Sequence, residues 1–134
     1  MSSPFSLQNR DIWVIGGAGY LGQEVVKLLA ELGASVLCAD LPGKARAAQG
    51  ITPADLDAAD ILALEKFVAD QIASRGVPHG LVVMTYASTA KKFDDLTAAD
   101  FDHANHGNLT ATFTLARAIG NAMAERGSGS LVLF

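Results

Sequence analysis

The chain alternates between two hydrophobic rhythms. Ile12, Trp13, Val14 and Ile15 form a short apolar run, so Asp11–Ile15 is predicted to be a strand. From Tyr20 to Leu32 the spacing turns helical, with Leu21, Val25, Leu28, Leu29 and Leu32 on one face and Gly33 ending the helix. Ser35–Ala39 is a second apolar strand, closed by Asp40. Leu41 to Gly50 is loop, and Ile51–Ala54 is a short third strand whose Pro53 suits a sheet edge. Asp57 or Asp60 begins the next helix; Ile61, Leu64, Phe67, Val68 and Ile72 are its buried stripe, and Gly76 with Pro78 stops it. Gly80–Met84 is uninterruptedly apolar, as a central strand is. After a loop from Thr89 to Leu96, Thr97 and Asp100 take capping-box positions. One long helix is expected from there to Arg126, with Phe101, Leu109, Phe113, Ala116, Ile119 and Met123 inward. Gly127 ends it, and Leu131–Phe134 opens a fifth strand.

Strands separated by helices imply a parallel sheet with helices on its faces. At the first strand-to-helix junction the chain reads Gly16-Gly17-Ala18-Gly19-Tyr20-Leu21-Gly22, so Gly17, Gly19 and Gly22 form G-x-G-x-x-G. In that setting Gly17 is expected to permit the tight turn and Gly19 to let a pyrophosphate approach the backbone. Gly22 lets the helix pack on the strand. The amides opening the helix, and its dipole, would then face phosphate. An ordinary glycine-rich turn is the plainer alternative. The fold expected is α/β, a Rossmann-type doubly wound parallel sheet.

Asp40 lies 18 residues beyond Gly22, at the end of the second strand. A carboxylate there can accept from the adenosine ribose hydroxyls and repel a 2′-phosphate, which favours NAD over NADP. It can equally cap the strand end, and Lys44 and Arg46 stand close enough in sequence to reach a phosphate. Asp55, with Leu56, is a candidate adenine contact or a helix cap. Thr85, Tyr86, Ala87 and Ser88 follow the fourth strand, where open α/β sheets bind ligands, and small Ala87 and Ser88 leave space for a nicotinamide ribose.

Composition narrows the function classes. The 134 residues fit one domain, half of them are hydrophobic, and only 18% are charged. The net charge of −4 gives no basic face for nucleic acid. No apolar run approaches the roughly 20 residues that span a bilayer. A single cysteine, Cys38, and an N-terminus without signal-peptide order point to the cytoplasm. Cys38 and Trp13 read as core. His103 and His106 are three residues apart but lack a third metal ligand, so both read as solvated or packed, and His79 has no partner.

Together these residues resemble the N-terminal half of a short-chain dehydrogenase/reductase, from Leu7 to Phe134. The glycine segment has the spacing of extended, epimerase-like members. Asp40 matches the ribose-binding acid, and Asp55-Leu56 the adenine-loop pair. Gly107-Asn108-Leu109-Thr110-Ala111-Thr112-Phe113 is similar to the V-N-L-x-G-x-F of the central helix. The family's Asn-Asn-Ala-Gly is here Thr85-Tyr86-Ala87-Ser88. The resemblance implies that Asn108 helps hold a water in a proton relay; on the residues alone, a buried Asn tying its helix to a neighbour serves as well. The family's Tyr-x-x-x-Lys is absent, since Tyr20 is followed four residues on by Glu24 and Tyr86 by Ala90.

The expectation is therefore an NAD-binding domain covering residues 1–134, truncated after the fifth strand and lacking the C-terminal catalytic part. It would belong to an enzyme that moves a hydride between nicotinamide and a small-molecule carbonyl or alcohol, and would be inactive alone. A homo-oligomer or a complementing C-terminal segment is a further expectation. Two alternatives are a nucleotide-sugar epimerase or dehydratase and a non-catalytic NAD sensor.

Overall fold

The computed structural model describes residues 3–134; Met1 and Ser2 of the polar lead-in lie outside them. Five parallel strands form one sheet in the order β3-β2-β1-β4-β5. They are β1 Asp11–Ile15, β2 Ser35–Asp40, β3 Ile51–Asp55, β4 Gly80–Val83 and β5 Ser130–Leu133. The helices are α1 Gly22–Glu31, α2 Ile61–Arg75, α3 Ala98–Asn105 and α4 Ala111–Arg126. β3 pairs only with β2, so Pro53 sits on an edge, where its missing N–H costs no ladder bond. β4 is buried along its length between β1 and β5.

Successive side chains leave opposite faces of a strand, and this builds two cores. Trp13, Ile15, Leu37, Ala39, Leu81 and Val83 face α2 and α4, meeting Leu64, Val68, Leu115 and Ile119. Ile12, Val14, Val36, Cys38 and Val82 face α1, meeting Val26 and Ala34. At the floor of the sheet Arg75 pairs with Asp11, whose other carboxylate oxygen accepts from Trp13 Nε1 at 2.9 Å.

Two helices depart from the periodicity. α1 starts at Gly22 rather than Tyr20; Gly22 and Val26 are its buried residues, Val25 and Leu29 of the expected face pack beside them, and Leu21 and Leu28 are exposed. The long helix carries an internal π-turn, His106–Thr110, between α3 and α4, with helical backbone at both junctions. The extra residue shifts the register, so Ala111, Thr114 and Leu115 point inward with Ile119 and Met123. Phe101, Leu109 and Phe113, expected inside, are 68%, 69% and 63% exposed. The capping box forms as expected: Thr97 Oγ1 accepts from Asp100 N, and Asp100 accepts from Thr97 N.

Candidate functional site

Strand order reverses between β1 and β4, and connections leave their C-terminal ends in opposite directions. Two cavities open there. One, of about 390 Å³, lies over β1, β2 and β4, with Leu56 and Asp57 on its wall beside Ala87, Ser88, His103 and Gly107. The other, of about 560 Å³, lies over the glycine turn, with Gly19, Tyr20, Leu21, Gly22 and Asn108. Gly16, Asp40, Thr85 and Tyr86 belong to both, so the two form one trough.

The glycines divide their work differently from the sequence expectation. Gly16, not Gly17, makes the tight turn, with φ of +82°. A Cβ on Gly16 would stand 2.7 Å from the Met84 main chain, so the turn also needs it for close approach to β4. Gly17 is small because Cys38 Sγ lies beneath it, 2.7 Å from where a Cβ would be. Burial first, then the Asp40 charge, pushes the Cys38 thiol up, which keeps it a protonated core group. Gly22 packs on the turn as expected, its Cβ position 2.5 Å from Gly16 O. At Gly19 the nearest atom is 3.7 Å away, which leaves open space above the backbone.

Main-chain donors at the turn are unevenly used. Gly16 N and Gly17 N donate to Ala39 O, and Ala18 N donates to Asp40 Oδ2 at 2.8 Å. The amides of Tyr20, Leu21 and Gly22 have no acceptor among the described residues. Three N–H groups without a protein acceptor thus stand at the start of a ten-residue helix, a donor set that could receive an anion. Asp40 ties the turn to β2: Oδ1 accepts from Leu41 N at 2.8 Å while Oδ2 holds Ala18 N. Each oxygen keeps a lone pair for a further donor.

Asp55 lies on neither cavity wall. Its Oδ1 accepts from Gly43 N at 3.1 Å, pinning the loop between β2 and β3, and Asp57 takes the wall position instead. Leu56 is buried and forms part of that wall. Neither cap reading for the next helix rests on Asp55, since Asp60 is the residue whose side chain accepts from Ala63 N.

Asn108 sits within the π-turn, and Ala87 uses both of its polar atoms. Oδ1 accepts from Ala87 N at 2.9 Å and Nδ2 donates to Ala87 O at 2.6 Å. This pair fixes the Thr85–Ser88 segment to the helix. The Asn108 carbonyl accepts from Thr112 Oγ1 at 2.7 Å. Gly107 allows this approach, because a Cβ there would fall 2.3 Å from Ala87 Cβ. His103 reaches the smaller cavity, whereas His106 Nδ1 lies 2.7 Å from Asp102 O; among the described residues neither joins a set of three metal ligands.

Thr85 and Tyr86 line the trough after β4, where the sequence places a ligand-binding segment, whereas sequence reasoning missed Asp57 and Gly107 as wall residues. A glycine inside a helical stretch was the available signal for Gly107.

Comparisons with known proteins agree with this geometry. The profile of the short chain dehydrogenase family matches residues 10–134. A short chain dehydrogenase/reductase, notP′, from Aspergillus versicolor is 30% identical over 98% of this chain and 50% of its own. An acetoacetyl-CoA reductase from Synechocystis is 30% identical over 94% of this chain and 52% of its own. Among solved structures, a short chain dehydrogenase from Leptospira borgpetersenii with bound NAD+ superposes with TM-score 0.83 at 22% identity, over 94% of this chain and 51% of that one. A gluconate 5-dehydrogenase from Burkholderia cenocepacia in complex with NADP and tartrate gives TM-score 0.82 at 23% identity, over 95% and 53%. The chain thus spans about half the length of the curated relatives it matches. The resemblance to epimerases stops at the glycine spacing. With its five-stranded parallel sheet, its glycine turn and a family match over nearly its whole length, the chain belongs to the short-chain dehydrogenase family.

Proposed function

We propose that residues 1–134 form the dinucleotide-binding part of an oxidoreductase that prefers NAD to NADP. The observation that carries this reading is the mouth of three free amides, Tyr20 to Gly22, opening on a trough across the β1 and β4 ends. A diphosphate fits that mouth by charge and donor direction. Leu56 and Asp57 would hold the adenosine end, and Asn108 would stand toward the nicotinamide end. Asp40 uses its spare lone pairs for the adenosine ribose, and its charge disfavours a 2′-phosphate. When bound, the nicotinamide supplies hydride chemistry for a carbonyl or alcohol carbon of a small-molecule substrate. The chain's own residues bind and orient: Asn108 holds Ala87 in place beside the sugar, acting as a positioning residue.

The proton donor of the reaction is not supplied by this chain, because no tyrosine here has a lysine four residues on. The 134 residues alone therefore bind cofactor without oxidising NADH. Exposed Leu109 and Phe113, i and i+4 on the outer face of the central helices, support pairing with a second copy. The open edge of β5, with Leu131, Val132 and Leu133 at 40%, 47% and 49% exposure, supports a complementing segment. The cytoplasm remains the proposed location; among the described residues no helix is long and apolar enough to cross a membrane.

The test is fluorescence titration with NADH and NADPH. NADH is expected to bind about tenfold more tightly, and Asp40→Asn, which removes the charge, to narrow the gap. Equal affinities in the unmutated chain refute the NAD preference; no binding of either refutes the cofactor reading.

A further inference from the structure

α1 joins β1 to β2, α2 joins β3 to β4, and α3 with α4 joins β4 to β5. β2 and β3 are parallel neighbours, yet the described residues 41–50 join them without a helix. Such a crossover ordinarily carries a helix that covers the sheet face beside it. Ile51 and Pro53 pair with Val36 and Cys38, so they face the α1 side of the sheet. Ala45 of the linking loop packs on that core, and Pro53 stays exposed. A groove results. Two cavities, of about 300 and 580 Å³, meet at Ile51 and run along α1 from Gln23 to Glu31.

The floor of this groove is apolar, with Val26, Ala30, Cys38 and Ile51. Its rim is cationic: Lys27, Lys44 and Arg46 stand there against one carboxylate, Glu31, although the whole chain carries −4. Among the described residues Lys44 and Arg46 make no ion pair. Lys27 and Glu31 are 4.0 Å apart and exposed, so their pairing is weak. The loop is held in place. Gly43 N donates to Asp55, Lys44 N donates to Leu41 O at 3.0 Å, and Ala48 and Ile51 exchange main-chain bonds. The groove is thus formed before any partner arrives, which lowers the cost of docking.

We propose that this groove receives an amphipathic helix of a partner protein, its apolar stripe on the floor and its acidic residues against Lys44 and Arg46. The ten residues of α1 beside it span about 15 Å, room for a partner helix of about three turns. The inference stands apart from the cofactor reading, since no residue lines both this groove and the trough.

The probe is a labelled, stapled helical peptide of about twelve residues, with leucines on one stripe and glutamates beside it, read by fluorescence anisotropy. The controls are a scrambled peptide of the same composition and a form with lysine in place of glutamate. The acidic stripe peptide is expected to bind at least about tenfold more tightly than the scrambled one. Lys44→Glu with Arg46→Glu, at two exposed positions, is expected to weaken it about tenfold and to gain binding of the lysine form, with NADH affinity within about threefold of the unmutated chain. Equal binding of the scrambled peptide leaves surface charge alone and overturns the inference. An unmutated chain that binds neither acidic peptide overturns it too. A reversed chain that keeps the acidic peptide but loses NADPH shows that the cations serve phosphate, and overturns the docking site while leaving the cofactor reading intact.

Discussion

Removing the Asn108 side chain should loosen the site more than its half-buried position suggests. Asn108→Ala deletes two hydrogen bonds, one to Ala87 N and one to Ala87 O, and leaves both main-chain groups to find water. At about 1 kcal/mol net for each, the cost is about 2 kcal/mol. Asn108→Asp separates the two bonds. A carboxylate still accepts from Ala87 N, but it sets a charged oxygen against Ala87 O where an amide donor had been. Protonation restores a donor, so the carboxyl's folded pKa is raised above its unfolded value of about 3.9. A raised pKa means that this stabilisation is present below about pH 4 and is lost as pH rises through the folded value. Asn108→Asp should therefore resemble the unmutated chain near pH 4 and approach the defect of Asn108→Ala near pH 7. Urea unfolding reports this through Trp13, the only tryptophan, which is fully buried in β1. A cost below about 0.5 kcal/mol for Asn108→Ala, or an Asn108→Asp chain that is weaker at pH 4 than at pH 7, would refute the reasoning.

Other perturbations follow from the same contacts. Gly16→Ala must place a Cβ at positive φ and against the Met84 main chain, costing about 2–5 kcal/mol, whereas Gly19→Ala, with open space, should change stability by less than about 1 kcal/mol yet weaken NADH binding; urea melts and NADH titration of the pair check this. Arg75→Ala removes the partner of Asp11 at the sheet floor, where both side chains are about one-fifth exposed, and should cost about 1–2 kcal/mol in the same assay. The Lys91 ammonium, then the Thr97 amide and hydroxyl, hold the Asp100 carboxyl down at about 2, from an ordinary 3.8. Its contribution to the α3 cap is thus present above about pH 4 and lost as pH falls toward 2, so the melting-temperature advantage over Asp100→Asn should vanish in that window.

The strands were legible because continuous apolar runs bounded by glycine leave little choice, and the sheet they form followed from the helices between them. The helix faces were less so. Leucines mark an apolar face, and on α1 Val25 and Leu29 do pack on the core, but its most buried contacts are Gly22 and Val26, and Leu21 and Leu28 fall outside it. On the central helices a single inserted residue turns the register, and no periodicity announces a π-turn; Gly107-Asn108 in mid-helix was the only sign. The glycine turn was recognisable, yet which glycine carries the positive φ depends on how close β4 runs, a fact of tertiary packing. Asp55 shows the same limit, because its partner is an amide twelve residues back on another loop.

The central claim is that a diphosphate settles on the amides opening α1. Backbone amide NMR of the 13.9 kDa chain during NAD+ titration reads this directly. The account predicts the largest saturable shifts at Gly19 to Gly22, with smaller ones at Thr85 to Ser88. Saturable binding that leaves Gly19 to Gly22 unmoved, or shifts centred elsewhere on the sheet, would contradict it.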